Sequence, residues 1–115
     1  MKTKNEAIDF CLSLGLCYED YPFDDNWAAI RHNQNHKTFA FVYQRNGANY
    51  VNLKAVPELA AVWRQTYPSV SAAYHMNKLH WITVALDGVM ADEDIFALVK
   101  DSYELTAPKR SAKRK

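Results

Sequence analysis

Four histidines are the first residues to test for chemistry: His32 and His36 stand four apart, and His75 and His80 five apart. Metal ligation needs several donors converging on one point, and residues four apart meet on one face only where the intervening chain is helical. Asn33-Gln34-Asn35 between the first pair is a polar loop sequence, and no cysteine or carboxylate is spaced to complete a tetrahedral set. Solvated or hydrogen-bonded histidines, with no metal, are the expectation. Cys11 and Cys17 form no CxxC pair and sit in or beside an apolar helical pattern, so buried or half-buried thiols are expected. Ser13, Ser69, Ser71 and Ser102 lack a nucleophile-elbow context. In the pair Asp24-Asp25 and the run Asp92-Glu93-Asp94, adjacent side chains point in different directions, which suits loop solvation and a helix start better than paired acid–base work. With only Gly15, Gly47 and Gly88, the chain has no glycine-rich phosphate cradle. Neither an enzyme nor a bound cofactor is expected.

The remaining chemistry is cationic and aromatic. Arg31, His32, His36, Lys37, Arg45, Lys54, His75, Lys78 and His80 fall in strand-like sequence, whereas acids gather between Glu19 and Asp25 and in the last helical segment. Rings such as Trp27, Tyr50 and Trp81 are able to stack bases, at roughly 1–3 kcal/mol each, while Lys and Arg meet phosphates. A nucleic-acid surface of Arg31, Lys37, Arg45, Lys54, His75, Asn77, Lys78, His80 and Trp81, helped by Lys109 and Arg110, is therefore expected. For Lys54, Asn77, Lys78 and Trp81 the competing reading is structural: solvated strand side chains, or rings covered by neighbouring chain. A protein-interaction or chaperone-like module using the same face is the alternative function.

The formal charge of +1 conceals an asymmetry, because Lys109, Arg110, Lys113, Arg114 and Lys115 place five of the fourteen basic residues in the last seven positions. Residues 1–108 are left with nine basic against thirteen acidic side chains, a net of −4. Such a tail attracts any polyanion without sequence preference, or simply keeps the chain soluble. The 115 residues are 49% hydrophobic and 23% charged, enough for one ordinary core. No apolar run reaches the roughly 20 residues of a membrane span. The polar start, Met1-Lys2-Thr3-Lys4-Asn5-Glu6, does not resemble a secretory leader. A cytoplasmic monomer without membrane contact is expected, with one domain over residues 1–107 and a basic, disordered tail over 108–115.

The elements that must position these residues follow from local pattern. Thr3 and Glu6 predict a capping box opening a helix over Lys4 to Leu14, stopped by Gly15. Leu16 to Asn26 reads as an extended loop. Trp27–His32, Thr38–Arg45 and Asn49–Lys54 read as strands, with Asn46-Gly47 as a hairpin turn. Pro57 opens a second helix that Pro68 ends, Val70 to Leu86 returns to strand with a turn near Asn77-Lys78, and Asp92 to Tyr103 forms a third helix. The predicted architecture is α+β and two-layer: a five-stranded antiparallel sheet with helices on one face, in the order α-β-β-β-α-β-β-α. Strand parity sends Ile30, Phe39, Phe41, Val51, Leu53, Ile82, Val84 and Leu86 toward the helices. It leaves Trp27, Arg31, Tyr50, Asn52, Lys54, Trp81 and Thr83 on the other side.

Several stretches then carry a resemblance: YPFD at Tyr21 to Asp24, VNLKAVPELA at Val51 to Ala60, YHMNKLHWITVALDG at Tyr74 to Gly88, and DEDI followed by SYEL. In this order, over nearly the whole chain, they resemble the MmcQ/YjbR family. The resemblance implies a two-layer α+β fold akin to CyaY-like and secretion-chaperone-like domains, described as a double-wing DNA-binding motif. The hairpins near Asn46-Gly47 and Asn77-Lys78 would be the wings. Val56 departs from the family pattern, which often has an acid before the proline, so a weaker second-helix start is expected.

Overall fold

The computed structural model describes residues 1–109. Helix α1 (Lys4–Ser13) begins with the reciprocal capping box, Glu6 N–H donating to Thr3 Oγ1 and Thr3 N–H to the Glu6 carboxylate. Gly15 and Leu16, both at positive φ (82° and 55°), then reverse the chain into β1 (Cys17–Asp20). This strand is a correction, because the stretch was expected to be loop. It lies at the sheet edge, where two acids among four residues, none of them buried, leave no alternating pattern to detect. Strands β2 (Ala28–His32), β3 (Thr38–Arg45) and β4 (Ala48–Lys54) follow, the last two joined by Asn46-Gly47, both at positive φ (53° and 80°) as a tight hairpin requires.

Helix α2 (Pro57–Thr66) starts at Val56 with no side-chain cap, and Pro57 at its first position supplies the start instead. Strands β5 (Val70–Ala72) and β6 (Trp81–Ala85) and helix α3 (Asp92–Thr106) complete the order α-β-β-β-β-α-β-β-α. The sheet therefore has six strands rather than five, all antiparallel, in the order β1-β2-β3-β4-β6-β5. Residues of all three helices share one core with Ile30, Phe39, Leu53, Ile82 and Val84.

Phe41 overturns the parity assignment. The β2–β3 register slips at Phe39, so that Ile30 pairs with Ala40 while Arg31 pairs with Thr38. The extra residue lets Phe39 and Ala40 both enter the helix-side core. Beyond this bulge the alternation is inverted, and Phe41 and Tyr43 face away from the helices, where Phe41 lies 6.1 Å from Trp27 and 5.9 Å from Trp81.

Ser102 of α3 holds the bulge open. Its buried hydroxyl accepts the Lys54 N–H (2.9 Å) and donates to the Phe39 carbonyl (2.6 Å), joining two backbone groups that an uninterrupted β3–β4 ladder would pair directly. Ser102→Ala leaves both without that partner. It should lower unfolding stability in urea titrations by about 2–4 kcal/mol, the cost of two buried unsatisfied backbone groups; a loss below about 0.5 kcal/mol would contradict this role.

Candidate nucleic-acid interface

The face turned away from the helices is not open at its centre. Asn52, fully buried, accepts hydrogen bonds from Tyr43 Oη (2.8 Å) and Thr83 Oγ1 (2.6 Å) and donates to the Tyr74 carbonyl (2.9 Å). Thr83 Oγ1 in turn accepts the Tyr74 N–H at 2.9 Å. Both polar groups of the Tyr74 backbone are thus fastened to the sheet, and the connection 73–76 lies across it. The Arg45 guanidinium sits over the Tyr74 ring at 4.0 Å and over Tyr50 at 5.0 Å, closing the hairpin end of the face.

On either side of Phe41 and Met76 a depression opens. The first, of about 450 Å³, is lined by Arg31, His36, Lys37, Thr38, Lys54 and Trp81 together with those two residues, Leu105 and Thr106. It brings together four of the sequence-predicted residues, Arg31, Lys37, Lys54 and Trp81, and no carboxylate residue is among its described lining. Arg31 is partly engaged: Nε donates to Asp20 Oδ2 at 2.9 Å and Nη1 to the His36 carbonyl at 3.1 Å, two of the five donors a guanidinium carries. Lys54 Nζ lies 5.4 Å from the centre of the Trp81 ring, a cation resting on an aromatic platform. The second depression, smaller at about 260 Å³, is lined by Phe23, Asp24, Trp27, Phe41, His75 and Met76.

Other predicted residues lie elsewhere. Lys109 lines an adjoining depression with Lys37 and Glu104. Asn77 Oδ1 accepts the backbone N–H groups of Leu79 (2.8 Å) and His80 (3.2 Å), and Lys78 Nζ donates to the Ala73 carbonyl (2.6 Å), so both fold the 73–80 connection. His80 is exposed on that connection. Arg110 and the rest of the basic tail lie outside the described residues. Sequence reasoning missed Phe23, Met76 and the outward placement of Phe41. Phe23 stood in the acidic aromatic loop, where the sequence offered no periodicity to assign it.

The histidines and cysteines are accounted for locally. His36 Nδ1 is 3.0 Å from Tyr18 Oη, and His75, at φ 62°, packs its ring 4.0 Å from that of Tyr74 at a tilt of 44°. Among the described residues, no group of three or more His, Cys, Asp or Glu side chains is arranged to hold a metal ion. Burial pushes the Cys11 thiol up to about 12, with neighbouring Cys17 adding to it, and burial raises Cys17 too. Neither is a thiolate near neutral pH.

A six-stranded antiparallel sheet carrying three helices, with a cation-lined depression beside Phe41 and Trp81, defines the class: a small α+β domain. The chain belongs to the YjbR family, whose model matches residues 12–105. It is 34% identical over 102 residues to the uncharacterised protein YjbR of Escherichia coli K12, covering 89% of this chain and 85% of that one. It is 28% identical over 99 residues to YyaQ of Bacillus subtilis, covering 76% and 83%. Among solved structures, a Pseudomonas syringae protein superposes with a TM-score of 0.81 at 33% identity, over 90% of this chain and 98% of that one. A Deinococcus radiodurans protein with the DUF419 domain gives a TM-score of 0.84 at 30% identity, over 99% and 86%. No described helix is long and apolar enough to cross a membrane.

His32 supplies a pH dependence. The residue is 2% exposed, with Nε2 2.9 Å from Thr106 Oγ1, and burial holds the ring below the usual histidine value against a smaller upward pull from the Tyr103 backbone. The unfolded chain therefore takes up the proton first, so this contribution is complete above the unfolded value of about 6.5 and is lost as pH falls from there through the lower folded value. Thermal midpoints measured from pH about 7.5 to about 5.5 should fall, and His32→Gln should flatten that fall; an unchanged slope would contradict the assignment.

Proposed function

We propose that this YjbR-family chain is a nucleic-acid-binding module that acts by contact and without catalysis. Phosphates lie in the depression formed by Arg31, Lys37 and Lys54, and the Trp81 ring supports the cation nearest the sheet. The observation that carries the reading is the convergence of these three cations, drawn from β2, the β2–β3 turn and β4, on one concave surface. The Asp20 carboxylate beside it is paired with Arg31, and Glu104 lines the adjoining depression that shares Lys37. The acids elsewhere keep the body's net charge at −4 while this surface stays locally positive.

Arg45, at the hairpin end of the face, His75, in the neighbouring depression, and Asn77, Lys78 and His80, on the 73–80 connection, lie outside this depression and add contacts only to a longer strand. Lys109, Arg110 and the remaining tail cations add nonspecific attraction. Membership in the YjbR family supports the same reading, with the β3–β4 hairpin and the 73–80 connection proposed as its two wings. The domain itself extends over residues 1–107, and no membrane is involved.

Fluorescence anisotropy with labelled single-stranded and duplex DNA, from about 50 to about 300 mM salt, tests it. Lys37→Gln with Lys54→Gln should weaken binding and reduce the salt slope for single strands by about 1.4, two neutralised phosphates at about 0.7 each. Replacing the five tail cations with glutamine should weaken binding but leave a salt-dependent remainder. Complete loss in the tail variant, with no effect of the double substitution, would place binding in the tail and refute the folded site.

A further inference from the structure

Beside the cationic depression lies the smaller one, and its walls are of a different chemistry. Phe23 is 70% exposed, with its ring 6.1 Å from that of Phe41 and 24° from parallel. An exposed phenyl group beside a second ring leaves aromatic surface free to pack against a further ring. Trp27 forms another wall and is fixed by stacking on Tyr43 at 3.9 Å. The volume of about 260 Å³ falls just below the range of roughly 300–1,000 Å³ for drug-sized ligands, so a single flat ring system suits it better than a whole cofactor.

Asp24 gives the slot a polar edge. Its Oδ1 accepts the backbone N–H groups of Asn26 (2.9 Å) and Trp27 (3.2 Å), which hold the carboxylate at the mouth. A carboxylate accepts hydrogen bonds and repels phosphate, so this side of the groove selects a group carrying amino donors. The cationic depression, sharing Phe41 and Met76 with it, selects phosphate. Anion site and aromatic slot side by side, with opposite charge preference, match the two halves of one nucleotide.

We propose that the Phe23–Trp27–Phe41 slot seats one unpaired, amino-bearing base of a single-stranded nucleic acid whose phosphates occupy the Arg31–Lys37–Lys54 depression; this rests on the nucleic-acid reading above. Stacking a base between Phe23 and Phe41 needs about 7 Å, two contacts of about 3.5 Å, so the exposed Phe23 ring must move outward to admit it. Cytosine offers its exocyclic amine to Asp24. Thymine lacks an exocyclic amine, and its single N3–H donor lies between two carbonyl oxygens that the carboxylate repels. A duplex reaches the slot only by flipping a base out, which disfavours it.

The test compares anisotropy of three labelled probes: a strand of about twelve deoxycytidines, the matching strand of thymidines, and a phosphodiester strand of equal length without bases. Full-length protein should bind the cytosine strand about 5- to 150-fold more tightly than the baseless one, the range of one base–ring stack. Phe23→Ala should remove that difference and leave baseless-strand binding unchanged, and Asp24→Asn should erase the preference for cytosine over thymine. Equal binding of cytosine and baseless strands by the unaltered chain overturns the base slot while the phosphate site stands. No binding of any strand overturns both.

Discussion

The buried amide of Asn52 is the contact on which the candidate site depends. A fully buried amide is tolerated only when its hydrogen-bonding groups are matched, and Asn52 matches them by linking three strands to one loop. Tyr43 and Thr83 approach from the flanking strands, and the Tyr74 carbonyl descends from the connection that crosses them. With both ends of the Tyr74 peptide fastened, His75 and Met76 fall where they wall the two depressions. Without that anchor, the aromatic side of the sheet would be a flat, wet surface with nothing to hold a ligand on more than one side.

Helix α3 contributes the Leu105 and Thr106 wall of the cationic depression and one buried hydroxyl. Ser102 reaches from α3 into the ladder, and the bulge it holds open inverts the alternation of β3. Phe41 thereby becomes the ridge between the cationic depression and the aromatic slot, and Lys54, whose backbone N–H the same hydroxyl binds, stands beside Trp81. The helix layer and the binding layer are thus coupled by packing, since the geometry of one face is decided by a residue on the other.

Features that depend on neighbouring residues were legible in the sequence. The Thr3–Glu6 capping box, the Asn46-Gly47 turn, the unassisted start of α2 at Val56 and the side assigned to Arg31, Lys54 and Trp81 all follow from short-range chemistry. What the sequence concealed was set at a distance. Phe41 read as a core residue because simple alternation holds until a hydroxyl 63 positions away from Phe39 interrupts it. Asn52 read as a polar residue of an open face because nothing local signals that Tyr74 covers it. Strand β1 escaped notice because an edge strand buries too little to carry a pattern.

The central claim is that the cationic depression and its ring floor are where nucleic acid touches the domain. Amide and indole chemical shifts, followed by NMR as a short single-stranded oligonucleotide is added at moderate salt, test it most directly. The account predicts that the largest changes map to Arg31, Lys37, Lys54, Met76 and the Trp81 indole, with α1 and α2 unaffected. Changes confined to α2 or to the final basic residues, with Lys54 and Trp81 silent, would contradict it.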